Sequence, residues 1–183
     1  MKTATQGLYF PAEKKYMNRL LAWVEQAMER WEDCPLLTDA ARQQAALLLA
    51  HRLETVAGQV LQALWEQRMI EKNPVLELDI RLATVEEKKL AADTLLAELE
   101  QTGDCLLFER WPLFRGELEQ SVARFGRWLE ELLNRVEEHR GEISQEFFGG
   151  EDFGPITGLS ADQADLHFHG RSAAVMRTEK GSF

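Results

Sequence analysis

Between Thr38 and the stop at Asn73-Pro74 the chain carries one long helical pattern, with Leu49, Leu53, Val56, Val60, Leu61, Leu64 and Trp65 recurring mostly at spacings of three and four. Thr38 or Asp39 supplies the N-cap, and proline ends the pattern because it has no amide donor and biases its predecessor out of the helical region. Gly58 is the one weak position, at a cost of about 1 kcal/mol relative to alanine that close helix packing would explain. A helix of this length organises the chain around helix packing and needs other apolar helical faces to cover its own.

Those faces are present. Lys14 to Trp31 places Met17, Leu20, Leu21, Val24, Ala27, Met28 and Trp31 on one stripe, ended by Asp33-Cys34-Pro35. Thr84 with Glu87 forms a capping box that opens a helix running through Leu95 and Leu99 to Gly103. Trp111-Pro112 opens a last long helix, with Leu118, Val122, Phe125, Leu129, Leu132, Leu133, Val136 and Ile143 tracing its buried face up to Gly149-Gly150. Trp23, Trp31, Trp65, Trp111 and Trp128 read as core or inter-helix packing. The segment from Val75 to Leu82 alternates apolar and charged residues like a half-buried strand, but its helical neighbours favour helix.

After Gly150 the texture changes. Phe153-Gly154-Pro155-Ile156-Thr157-Gly158-Leu159 reads as strand and turn, Arg171 to Arg177 as a second strand, and Glu179-Lys180-Gly181 as a hairpin turn. The expected fold is mainly α: a helical region of about four helices over 1–150, followed over 151–183 by a short antiparallel β hairpin. A hairpin without the rest of its sheet buries little, so this end is expected to exchange its amides quickly.

The chain has 183 residues, enough for one ordinary domain, and 31 acidic against 21 basic side chains give a formal charge of −10. That surplus argues against nucleic acid and anionic bilayers as partners. No apolar run approaches the roughly 20 residues of a membrane span, and no signal-type core follows Met1, so a cytoplasmic protein is expected. Cys34 and Cys105 form no C-x-x-C pair and read as ordinary thiols; His51 and His139, among charged helical neighbours, read as solvated, as does Glu137 through Glu142.

One stretch has residue types suited to chemistry: Asp165-Leu166-His167-Phe168-His169-Gly170-Arg171-Ser172. At strand period Asp165, His167 and His169 share a face and would begin a metal site, but further ligands at suitable spacing are missing, and no metal is assigned. A purely structural polar turn is the other reading of the same residues.

The run from Asp165 to Val175 resembles the D-P-H-x-x-G-R-S-V segment of the dehydration domain of class II lanthipeptide (lantibiotic) synthetases. Arg110-Trp111-Pro112-Leu113-Phe114-Arg115 is similar to that family's Y-P-x-L-x-R helix opening, and Val75 to Arg81 to an upstream segment. Leu166 stands where proline is usual, and Phe168-His169 where a small or polar pair is usual. The resemblance implies that 151–183 begins a kinase-like small lobe. It also implies that Asp165 and His167 are catalytic, and that Gly170, Arg171 and Ser172 face phosphate and substrate. The complete enzyme would use ATP and Mg to phosphorylate Ser and Thr of a precursor peptide, leader plus core, then eliminate phosphate to give dehydroamino acids. A zinc-binding cyclase domain would follow. The family's nucleotide-binding lysine is expected on a strand beyond Phe183, so this chain alone is expected to bind no cofactor and catalyse nothing. The alternative is a non-catalytic helical module that binds a peptide or protein, a truncated relic of such an enzyme.

Overall fold

A computed structural model describes residues 13–161 and 174–183. Among them are six α-helices: α1 Glu13–Met28, α2 Asp39–Lys72, α3 Val85–Thr102, α4 Cys105–Arg110, α5 Pro112–Glu138 and α6 Arg140–Phe148. Three short strands follow, β1 Gly158–Ser160, β2 Val175–Thr178 and β3 Gly181–Ser182, in an antiparallel sheet of order β1-β2-β3. The expected hairpin is thus β2–β3, turned at Glu179-Lys180, and β1 adds a third strand to it.

The chain forms two compact units. The first holds 13–20 with Glu54–Leu118. Its core is Leu61, Leu64, Trp65 and Met69 of α2, Ala91, Ala92, Leu95 and Leu99 of α3, and Leu107, Phe114 and Leu118. The capping box at Thr84 forms as the sequence requires: Glu87 N–H donates to Thr84 Oγ1 at 3.2 Å, and Thr84 N–H donates to Glu87 Oε2 at 2.8 Å. Arg68 stitches this unit by donating to Glu98 and Glu71, each at 2.6 Å.

The alternating segment before α3 does not pair into a sheet. It folds as two 3-10 turns, Pro74–Glu77 and Ile80–Leu82, rather than as one α-helix. Asn73 and Asp79 cause this by accepting the amides two residues ahead, of Val75 and Arg81, which caps a tight turn at each point. Only Leu76 turns fully inward; Leu78 and Leu82 stay exposed.

The second unit holds Leu21–Leu53 with Glu119–Phe183. Its helical core comprises Val24, Trp31, Leu49, Leu53, Phe125, Trp128, Leu129, Leu133 and Val136. The Arg52 guanidinium lies over both Phe125 and Trp128, 5.2 and 5.1 Å from their centroids, a cation–π contact with two core rings. The last long helix of the sequence is broken at His139 into α5 and α6. At this break Arg140 donates to Glu137 on one side and Asp152 on the other, and stacks on Phe153, which redirects the chain toward the sheet. Gly149 ends α6 at φ +62°, a conformation that side chains disfavour. Phe153, Ile156, Leu159 and Met176 are buried, contrary to the expectation that this end buries little.

Candidate functional site

Asp165, His167, Gly170, Arg171 and Ser172 lie outside the described residues, and so does His169. What the structure defines is the frame on either side of them. Ser160 is paired with Val175, Leu159 with Met176, and Gly158 with Arg177 in one antiparallel ladder.

That ladder is held on its free edge by the start of α2. Thr38 caps the helix by accepting the Ala41 amide at 3.3 Å. The same residue gives both its backbone N–H and its hydroxyl to the Ile156 carbonyl, each at 3.0 Å. Ile156 N–H in turn donates to the Leu36 carbonyl at 2.8 Å, within a parallel bridge between Leu37 and Ile156. Farther along, Gln44 Oε1 accepts the Leu159 amide at 2.7 Å. A sheet edge that would otherwise expose unpaired backbone groups is covered by residues 36–44.

The far side of the sheet is fixed by aromatic rings and ion pairs. Phe183 packs against Phe148 and Phe153 at centroid distances of 6.1 and 5.2 Å. Arg140 holds the Asp152 carboxyl below its ordinary range, chiefly through their hydrogen bond, and Lys180 does the same for Glu151.

No family model, curated protein or solved structure matches this chain.

A second feature belongs to the first unit: a groove of about 380 Å³ lined by Val56, Val60, Trp111, Pro112, Leu113 and Phe114. Trp111, expected in the core or in inter-helix packing, stands at its rim and is 38 % exposed, because it occupies the α4–α5 junction where Pro112 begins a new helix. Leu113 beside it is 83 % exposed. Among the described residues no group of three or more His, Cys, Asp and Glu side chains is arranged to hold a metal. His51 and His139 are exposed, and His139 Nδ1 lies 3.0 Å from Glu142. Cys34 and Cys105 are free thiols. No helix among the described residues is long and apolar enough to cross a membrane.

The sequence offers Thr38 or Asp39 as the cap; in the fold Thr38 fills that role and also holds Ile156, a contact that, like that of Gln44, no local pattern signals. Gln44 meets its partner 115 residues away.

Proposed function

We propose that this chain is the N-terminal portion of a lanthipeptide synthetase dehydration domain. The observation that supports this reading is the order of elements around the motif. The D-x-H-x-x-G-R-S residues fall in sequence between two strands that pair antiparallel, and β2 then turns directly into β3. A kinase-like small lobe begins with such strands, and phosphoryl transfer needs backbone close to the phosphates, charge around them and a group to orient the attacking hydroxyl.

In this reading Gly170 permits the close approach, Arg171 supplies charge and Ser172 completes the turn. Asp165 and His167 serve the two half-reactions. In the first, the substrate Ser or Thr hydroxyl gives up its proton and takes the γ-phosphoryl group of ATP. In the second, a base removes the α-proton, the Cα–Cβ double bond forms, and the C–O electron pair leaves with phosphate. An imidazole titrates in the range that such proton transfers need. Lysine and magnesium ligands for the nucleotide are assigned to the remainder of the synthetase, which also carries the cyclase. The partner is the precursor peptide, and the compartment the cytoplasm.

The test is to incubate the full-length protein with ATP, Mg and precursor and follow peptide mass. Loss of one water per modified residue supports the reading; an unchanged peptide with intact ATP overturns it. The groove beside Trp111 and Leu113 favours the second reading, a non-catalytic module that binds a peptide without modifying it. Binding with no mass change would select it.

A further inference from the structure

We infer that the stretch from Val75 to Val85 is a docking surface for a basic amphipathic helix, one with apolar side chains three and four residues apart and lysine or arginine along their margins. Val75, Leu78, Leu82 and Val85 are 60, 86, 63 and 76 % exposed. They are four of the eleven large apolar side chains that stand exposed among the described residues, and they fall within eleven consecutive positions. Exposed apolar residues scattered singly need no explanation, whereas a contiguous group marks a contact surface.

The local fold turns this group outward and holds it there. Leu76 and Ala83 are the buried anchors of the stretch. Leu78 N–H closes on the Val75 carbonyl at 3.2 Å, and residues three apart in a 3-10 turn eclipse, so Val75 and Leu78 lie on one side of the first turn. The second turn lies against the first; Leu82 ends it, and Val85 opens α3 just past the Thr84 cap. Asn73 accepts the Val75 amide and donates to Glu87 Oε1 at 2.8 Å, while Asp79 accepts the Arg81 amide at 3.0 Å and binds its guanidinium at 2.9 Å. Turns already pinned by their own caps lose little freedom when a partner docks.

Charge selects the occupant. Glu77 stands between Leu76 and Leu78 in sequence and Glu86 follows Val85; both are exposed, and among the described residues neither carboxylate is in an ion pair. The other carboxylates of the stretch are committed, Asp79 to Arg81 and Glu87 to Thr84 and Asn73. Lys88 and Lys89 lie one turn beyond Val85. Over Glu54–Leu118 there are 13 acidic and 7 basic side chains, so the field around the stretch attracts a cationic partner. The same field opposes a second copy of a chain whose formal charge is −10. The surface uses no residue of the dehydration site proposed above.

The experiment titrates the 183-residue chain into a fluorescein-labelled helix of about 18 residues, built of leucine at spacings of three and four with lysine elsewhere, and follows anisotropy. Its controls are the same peptide with glutamate for lysine and a scrambled leucine–lysine peptide. The leucine–lysine helix is expected to bind with a Kd of roughly 1–100 μM, and both controls at least about 10-fold more weakly. The double variant Leu78→Ser, Leu82→Ser is expected to weaken binding at least about 10-fold. Glu77→Lys with Glu86→Lys is expected to weaken it and flatten its salt dependence. Circular dichroism should not change in either variant, because all four side chains are exposed. Leu113→Ser, in the groove of the same unit, is expected to leave binding at the wild-type level. Absence of binding, equal binding of either control, wild-type binding by either double variant, or loss of binding in Leu113→Ser would each overturn the surface. A dimer in sedimentation equilibrium that Leu78→Ser, Leu82→Ser dissolves would overturn the choice of partner in favour of a second copy.

Discussion

The indole N–H of Trp65 in α2 donates to the backbone carbonyl of Lys88 in α3 at 2.9 Å. The ring is 1 % exposed, so one buried side chain both fills the core of the first unit and satisfies its polar atom on the neighbouring helix. Trp65→Phe removes the bond and part of the volume, and is expected to cost roughly 1–3 kcal/mol. Trp111→Phe, at an exposed junction, is expected to stay within about 0.5 kcal/mol of wild type. Urea unfolding checks both: the Trp65 variant should lower the midpoint at unchanged slope, and equal midpoints for the two variants would contradict the contrast.

These two tryptophans also show what the sequence could and could not tell. Periodicity marks a helix and its apolar stripe, and it located α1, α2, α3 and α5 because their stripes and caps are local. It cannot separate a core tryptophan from one at a helix junction, since both sit at permitted positions. Similarly, Leu76, Leu78, Ile80 and Leu82 alternate like a strand, yet only Leu76 is buried, because the Asn73 and Asp79 side chains cap two 3-10 turns whose three-residue period does not follow that alternation. The contacts of Thr38 with Ile156 and of Gln44 with Leu159 were out of reach for a different reason. They depend on the tertiary approach of residues more than a hundred positions apart, and neither glutamine nor threonine is unusual on a helix's first turns.

Thr84 and Glu87 predict a pH-dependent cap. Glu87 is held below the ordinary glutamate range, first by the Thr84 amide and then by Asn73 and the Thr84 hydroxyl. A carboxyl whose folded pKa is depressed contributes stability above its unfolded pKa, and that contribution is lost as pH falls through the folded value. Thr84→Ala is accordingly expected to cost about 1 kcal/mol at neutral pH. The difference from wild type should narrow when Glu87 is protonated. Parallel urea titrations at pH 7 and near pH 3 measure this; a gap that does not narrow would place the whole effect in the Thr84 hydroxyl's bond to the Glu87 amide.

The same sign holds at the second unit's ion pairs. Arg140 depresses Asp152 and Lys180 depresses Glu151, so protonation of either carboxyl releases a tie between α6, the 151–152 turn and the β2–β3 hairpin. Hydrogen exchange through Phe153 to Ser160 and Val175 to Phe183 is expected to be protected at neutral pH because Phe153, Ile156 and Met176 are buried. It is expected to accelerate, relative to α2, as pH falls below the ordinary carboxylate range. Arg140→Gln should remove most of that acid response, and added salt should weaken it because both pairs are at the surface. Fast exchange of β2 at neutral pH in the monomer would show that the buried apolar residues do not hold the hairpin.

The functional prediction concerns His167. If this imidazole transfers a proton in the proposed dehydration, His167→Ala in the full-length protein should lower Ser/Thr dehydration by roughly 10²-fold while leaving precursor binding largely intact. Mass spectrometry tells which half-reaction is lost, since a phosphorylated peptide is heavier than its precursor and a dehydrated one is lighter. Accumulated phosphopeptide assigns His167 to the elimination step; unmodified peptide assigns it to phosphoryl transfer. Arg171→Ala is expected to impair the first step, because its charge is placed toward the phosphates in this reading. In the proposed reading, which assigns the nucleotide lysine and magnesium ligands to another part of the synthetase, the 183-residue chain incubated alone with ATP, Mg and precursor should yield neither product. ATP-dependent mass gain from that chain, or wild-type dehydration by the His167 variant, would overturn the assignment of these roles.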